Sequence, residues 1–140
     1  FLGKYVVEQL VDAGKQVRAL IRTPTLYLEK LGVEILCGDV CDPQICAQAV
    51  AGVSEIYHLA GKVSRNPQDD SSMYRLHVEG TRSLLVAAAN LNKRPKVVVV
   101  SSSGTIAVSQ RADEISNEQC SYRTDIVSKW PYYLSKIYQI

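Results

Sequence analysis

Short apolar runs alternate with stretches of helical periodicity along all 140 residues, and this alternation constrains the fold more than any other feature. Tyr5–Asp12 carries Val6, Val7, Leu10 and Val11 at helical spacing, and Gly14 is placed to end that helix. Gln16–Ile21 reads as a strand, Leu26–Leu31 as a short helix closed by Gly32, and Val33–Cys37 as a second strand. Asp42-Pro43 supplies an N-cap followed by proline at the first helical position, opening a helix through Val50. Ser54–Leu59 and Val97–Ser101 read as two more strands. Between them lies a long amphipathic helix, from about Ser72 to Asn90, with Leu76, Thr81, Leu84, Leu85 and Ala88 on related faces. Apolar strands separated by helices pair in parallel and are covered on both faces. The expected class is therefore α/β, a doubly wound parallel sheet. Gly104–Pro131 breaks the pattern as a long polar loop, of a length that is usually functional or a lid. Tyr132–Ile140 then restarts a helix.

Composition narrows the function classes. Sixteen Lys and Arg stand against 14 Asp and Glu, scattered among one another, so the chain has no electrostatic footprint for nucleic acid. No apolar stretch approaches the ~18 residues of a membrane span. Cys37, Cys41, Cys46 and Cys120 form no C-x-x-C pair, and neither His58 nor His77 follows at a zinc-ligand interval, so no metal is expected. The cysteines read as reduced, small apolar fillers in a cytoplasmic protein. A chain of this length makes about one domain. It opens on Phe1-Leu2-Gly3 without a starting Met, and the expectation is that 140 is not its natural length.

In doubly wound sheets ligands bind beyond the carboxyl ends of the strands, so the residue after each strand is a candidate. Gly3 sits where the last glycine of a G-x-x-G-x-x-G turn would stand, or it is an ordinary loop glycine. Arg22 closes the first strand, about 20 residues on, where an acid would hold the ribose of NAD and an arginine the 2′-phosphate of NADP. No acidic residue occurs from Val17 to Leu28, which favours the phosphate reading over a plain exposed cation. Asp39 either accepts from an adenine amino group or merely caps its turn. Leu59, Ala60 and Gly61 end the third strand with residues that let backbone approach a ligand, although a core turn explains Gly61 equally well.

Ser101, Ser102 and Ser103 end the valine strand, and Tyr132 and Lys136 share one face of the last helix at i, i+4 spacing. A phenol is too weak an acid for proton transfer at neutral pH, and an ammonium one turn away favours the phenolate. Ser103 is placed to orient a substrate carbonyl or hydroxyl. The spelling Y-x-x-x-K alone means little, since eight Tyr and eight Lys in this length give about half a match by chance. Its position, opening a helix after a strand that ends in serines, is informative.

Taken together, Gly38-Asp39-Val40, His58-Leu59-Ala60-Gly61, Val78-Glu79-Gly80-Thr81, Val97–Ser103 and Tyr132–Lys136 resemble the extended short-chain dehydrogenases/reductases. This is the NAD(P)-dependent epimerase/dehydratase superfamily, and the flavour is that of its dihydroflavonol-4-reductase-like and hydroxysteroid-dehydrogenase-like members. The resemblance covers essentially the whole chain. It implies a Rossmann fold, with Tyr132 as general acid/base, Lys136 as its modulator and ribose ligand, and Ser103, or the neighbouring Ser102, as the substrate-orienting donor. Gly3, Arg22, Asp39, Leu59, Ala60, Gly61, Ser101, Ser102, Tyr132 and Lys136 would line the cofactor cleft. Two residues depart from the family pattern. His77 stands where asparagine is usual, which puts any water-relay role there in doubt. Gly104-Thr105-Ile106 lacks the Val-Tyr-Gly of many sugar-nucleotide epimerases, which leans toward reductases.

The resemblance further implies that residues 1–140 are a partial NAD(P)-binding domain. The first strand with its early glycines would precede Phe1, and the substrate-binding region would follow Ile140. The leading expectation is hydride transfer between NADP(H), or NAD, and a carbonyl or hydroxyl of a small organic substrate. One alternative is a nucleotide-sugar epimerase or dehydratase using bound NAD. Another is a non-catalytic dinucleotide sensor, which would have no need of Ser103, Tyr132 and Lys136 together. A homodimer of the full-length protein, through helices including the one at Tyr132, is also implied.

Overall fold

The computed structural model describes residues 1–140 and alternates strands with helices throughout. Helix α1 (Leu2–Asp12) ends at Ala13, with Gly14 turning the chain at φ +70°. Strand β1 (Arg18–Ile21) follows, then α2 (Leu26–Lys30), closed by Gly32 at φ +68°. Both helix ends turn on a left-handed residue, and both carry glycine. Strand β2 (Glu34–Cys37) pairs in parallel with β1, Arg18 opposite Glu34 and Ile21 opposite Cys37.

Helix α3 (Pro43–Val50) begins as its sequence dictates. The Asp42 carboxylate accepts from the backbone N–H of Gln44 at 2.8 Å and of Ile45 at 3.4 Å. Its other end is held by Arg18, whose Nη1 donates to the carbonyls of Gln48, Ala49 and Ala51. A cation there also complements the helix dipole. Strand β3 (Glu55–His58) pairs in parallel with β4 (Lys96–Val99), Glu55 opposite Lys96 and His58 opposite Val99.

The expected long helix is three segments. Helix α4 (Asp70–Tyr74) runs into a widened π turn, Arg75–Glu79, and then into α5 (Gly80–Ala89). At the join, a Cβ on Gly80 would lie 2.9 Å from Val40 Cγ1, so the glycine lets α5 settle against the Val40 turn. The core gathers there: Val40, Cys46, Val50, Leu84 and Ala88 pack as one cluster, with Leu20, Ile56 and Ala60 against it. Leu85, expected on the buried face, is exposed.

The four strands form two separate pairs, and neither β1 nor β3 pairs with the other. Between them lies a cleft of about 1340 Å³, lined by both strands and by Val6, Val7 and Leu10 of α1. Strand β1 is half-buried along its whole length, β3 exposes Glu55 and Tyr57, and only 19 of the 140 residues are buried. The cysteines also differ from expectation. All four are free, but only Cys46 is a buried filler; Cys37 is exposed, and Cys41 and Cys120 are half-buried. No helix is long and apolar enough to cross a membrane.

Beyond β4, Ser103–Thr105 forms a 3₁₀ turn, and the polar loop contains a short helix α6 (Thr124–Val127) anchored by buried Val127. Helix α7 (Pro131–Gln139) packs on α4, the π turn and the 3₁₀ turn.

Candidate active site

The carboxyl end of each strand delivers the residues that its sequence placed there. After β2, one oxygen of Asp39 accepts from the Cys41 N–H at 2.9 Å, and the other faces Arg75 Nη2 at 3.6 Å. The turn-capping reading is therefore realised by one oxygen. That N–H bond, helped by the charges of Arg75 and Arg22, holds the carboxyl below its ordinary range. Arg22 is exposed at the end of β1, and none of the five ion pairs uses it.

Gly3 lies in the first turn of α1, where a Cβ would meet Leu59 Cδ1 at 3.7 Å, an ordinary contact. Sterics here do not demand glycine. Leu59, Ala60 and Gly3 line the cleft, and Gly61 is exposed beside it.

The π turn ties two strand ends together. Arg75 reaches Asp39 after β2, and two residues on, His77 reaches the Gly61–Lys62 backbone after β3. There the Lys62 N–H donates to His77 Nε2 at 3.0 Å.

The serines divide their work. Ser101 Oγ is buried with no hydrogen-bond partner. Ser102 Oγ accepts from Gly104 N–H at 3.2 Å and caps the 3₁₀ turn, so that lone pair is committed to the backbone. Ser103 is exposed. The turn is pressed onto α7, because a Cβ at Gly104 would sit 1.8 Å from Tyr133 Cε1.

Helix α7 carries Tyr132 in its first turn, half-buried, its ring edge-on to His77 at 5.9 Å between centroids. Lys136 is buried. Its Nζ donates to the Val100 carbonyl at 2.9 Å and to Gln139 Oε1 at 2.6 Å, and it lies 3.8 Å from where a Gly61 Cβ would be. Burial pulls its pKa below the ordinary lysine range.

A polar chain continues inward from Lys136. Gln139 Oε1 accepts from the ammonium, so its Nε2 donates to Thr81 Oγ1 at 2.9 Å, and Thr81 meets His58 Nε2 at 2.8 Å. His58 is pushed down to about 4 by burial and by the Lys136 charge; His77 falls to about 4 for the same two reasons, with a smaller push from His58. Both rings are neutral at physiological pH. Gln139 and Ser135 were not read as site residues from the sequence, and Thr81 stood out only on a helix face and in a family motif. Gln139 stands three residues after Lys136, the spacing that places two side chains on one helix face, and this was the available signal.

The site joins a parallel α/β frame, small residues at a strand end, a serine turn and a Tyr–Lys helix face. A Synechocystis sp. protein carrying a dihydroflavonol 4-reductase designation is 32% identical over 118 residues, 81% of this chain and 34% of that protein. A short-chain dehydrogenase/reductase superfamily protein from Agrobacterium tumefaciens, solved with bound NAD, matches with a TM-score of 0.76 and 30% identity, over 99% of this chain and 40% of that one. The Thermus thermophilus UDP-glucose 4-epimerase, in complex with NAD, gives a TM-score of 0.82 and 25% identity, over 99% of this chain and 45% of the epimerase. The chain thus spans a third to less than half of the length of these proteins. The model of the NAD dependent epimerase/dehydratase family matches residues 1–140, and the chain belongs to that family.

Proposed function

We propose that this chain is the cofactor-holding and proton-transferring part of an NAD(P)-dependent oxidoreductase. It moves hydride between NADP(H) and a carbonyl or hydroxyl of a small organic substrate, in the manner of the dihydroflavonol 4-reductase that its Synechocystis relative is named for. The observation that carries this reading is the placement of Lys136. Its ammonium is buried one helical turn from Tyr132, bound to the last carbonyl of the valine run and packed beside Gly61.

The residues present fit a dinucleotide. Ser101 Oγ is a buried polar atom without a partner, Gly61 offers bare backbone, and Arg22 is a cation that no carboxylate engages directly. Arg22 would take a 2′-phosphate, which supports NADP over NAD. Gly3, Leu59 and Ala60 would meet the cofactor at the carboxyl end of β3, Ser101 and Ser102 would lie beside the nicotinamide, and Asp39 keeps lone pairs for an adenine amino group. The nicotinamide, when bound, supplies or accepts the hydride.

The chain's own residues handle the proton. In the reducing direction the Tyr132 hydroxyl gives its proton to the substrate oxygen, and in the oxidising direction the phenolate takes it. Lys136 stabilises the phenolate and would hold the ribose. Ser103, exposed while Ser102 caps its turn, orients the substrate oxygen.

The open edges of β1 and β3 support a further parallel strand in the cleft between them, bearing the early glycines of the phosphate turn. Because the chain spans only a third to less than half of its relatives' length, the substrate-selecting residues are proposed to lie outside these 140 residues. A homodimer through α7 is part of the proposal, and the exposed Tyr74 and Tyr138 rings on α4 and α7 would offer it apolar contact.

A second reading, a nucleotide-sugar epimerase or dehydratase with retained NAD, is favoured by the likeness to the Thermus epimerase. The full-length protein, incubated with NADPH and a panel of carbonyl substrates, separates them. Stoichiometric consumption of NADPH supports the reductase, and copurifying NAD that is never consumed supports the epimerase. Cofactor binding without turnover of either kind contradicts both.

A further inference from the structure

His77 is completely buried, in the π turn, and both of its ring nitrogens are engaged by parts of the chain remote from it in sequence. The direction of each bond is fixed by chemistry. A backbone N–H only donates, so the Lys62 amide at 3.0 Å makes Nε2 an acceptor and puts the ring proton of a neutral imidazole on Nδ1. Nδ1–H then donates to Ser135 Oγ at 2.8 Å. The Ser135 hydroxyl in turn donates to the Tyr132 carbonyl at 2.9 Å. Three bonds run in one sense from the turn after β3, through His77, to the residue that carries the phenol.

From this geometry we infer that His77 is a positioning residue. It is a single-tautomer clamp between the Gly61–Lys62 turn and the first turn of α7, and it fixes where Tyr132 sits relative to the cofactor cleft. The inference rests on the proposed hydride-transfer reading. A buried imidazole needs hydrogen-bond partners wherever it sits, so what matters is which segments this one joins. This one bridges segments 15 and 58 residues away, and both hold proposed site groups. Its ring edge also meets the Tyr132 ring, and its Nε2 lies 3.4 Å from where a Gly61 side chain would begin. The π turn, a device frequent at functional sites, spans the residues that include this imidazole.

The test compares His77→Leu, His77→Gln and Ser135→Ala in the full-length protein, reading kcat and the NADPH dissociation constant separately. His77→Leu and Ser135→Ala should each lower kcat by roughly 10- to 100-fold, the scale of a misplaced reacting group. Cofactor affinity should stay within about 3-fold, and the double variant should be no worse than either single, because both break one chain. The Gln amide accepts from Lys62 and donates to Ser135, so His77→Gln should recover most of the rate.

An unchanged kcat in both Ser135→Ala and His77→Leu, multiplicative losses, or a Gln variant no better than Leu would overturn the inference. If His77→Leu does not fold, Ser135→Ala and the ¹⁵N shifts of His77 in the unaltered protein still decide. Protonation at Nδ1 supports the clamp, and protonation at Nε2 overturns it. An unaltered protein that turns over no carbonyl contradicts the hydride-transfer reading instead, so the two failures are distinct.

Discussion

Gly104 lies against the ring of Tyr133 so closely that a Cβ there would come within 1.8 Å of Cε1. This contact seats the serine turn on the helix that bears Tyr132 and Lys136. Gly104→Ala should force the turn and the helix apart, with an overpacking cost of about 1–3 kcal/mol and a loss of turnover. Adding Tyr133→Val removes the obstructing ring and should restore most of the stability. Chemical denaturation of the single and double variants checks this, and equal destabilisation in both would contradict it.

The two buried histidines set an acid limit on stability. His58 and His77 are held near 4 in the folded protein, against 6.5 for a free side chain. Between those values the unfolded chain binds protons that the folded chain refuses, so stability is full above pH 6.5 and falls as the pH drops toward 4. At about 1.4 kcal/mol per pKa unit, a shift of this size removes roughly 2 kcal/mol per histidine by pH 5. Denaturant midpoints at pH 7.5 and pH 5 measure the slope. A His77→Gln variant should lose about half of it, and a midpoint that does not move would contradict the account.

The proposed preference for NADP rests on Arg22, exposed at the end of β1. Arg22→Asp removes the cation and supplies a carboxylate for the ribose hydroxyls, so kcat/KM should shift from NADPH toward NADH by at least about 10-fold, the scale of one lost charge-assisted bond. Steady-state assays with both cofactors read the ratio. An unchanged ratio would exclude Arg22 from phosphate contact.

The elements were legible wherever local chemistry decides. Asp42-Pro43 opens α3, Gly14 and Gly32 close their helices, and the apolar runs at β1 to β4 are strands. Strand partners were not legible, because an apolar run reports burial and not its neighbour, and nothing in Arg18–Ile21 reveals a cleft on its far edge. The Ser72–Asn90 periodicity read as one helix. The π turn at Arg75–Glu79 is imposed by tertiary contacts, with His77 bonded to two remote segments and Gly80 pressed on Val40. Of the site, the Tyr132–Lys136 face and the serine turn were visible as spacing and position. The polar chain through Gln139, Thr81 and His58 was not, since it joins three elements that only folding brings together.

Tyr132 is the group proposed to move the proton during hydride transfer. In the full-length protein Tyr132→Phe deletes only the hydroxyl, and the ring that meets His77 remains. Single-turnover measurement with saturating NADPH and a carbonyl substrate should show a rate lowered by at least about 10²-fold, the scale of general acid catalysis, with the NADPH dissociation constant unchanged. Turnover retained near the rate of the unaltered protein would contradict the account.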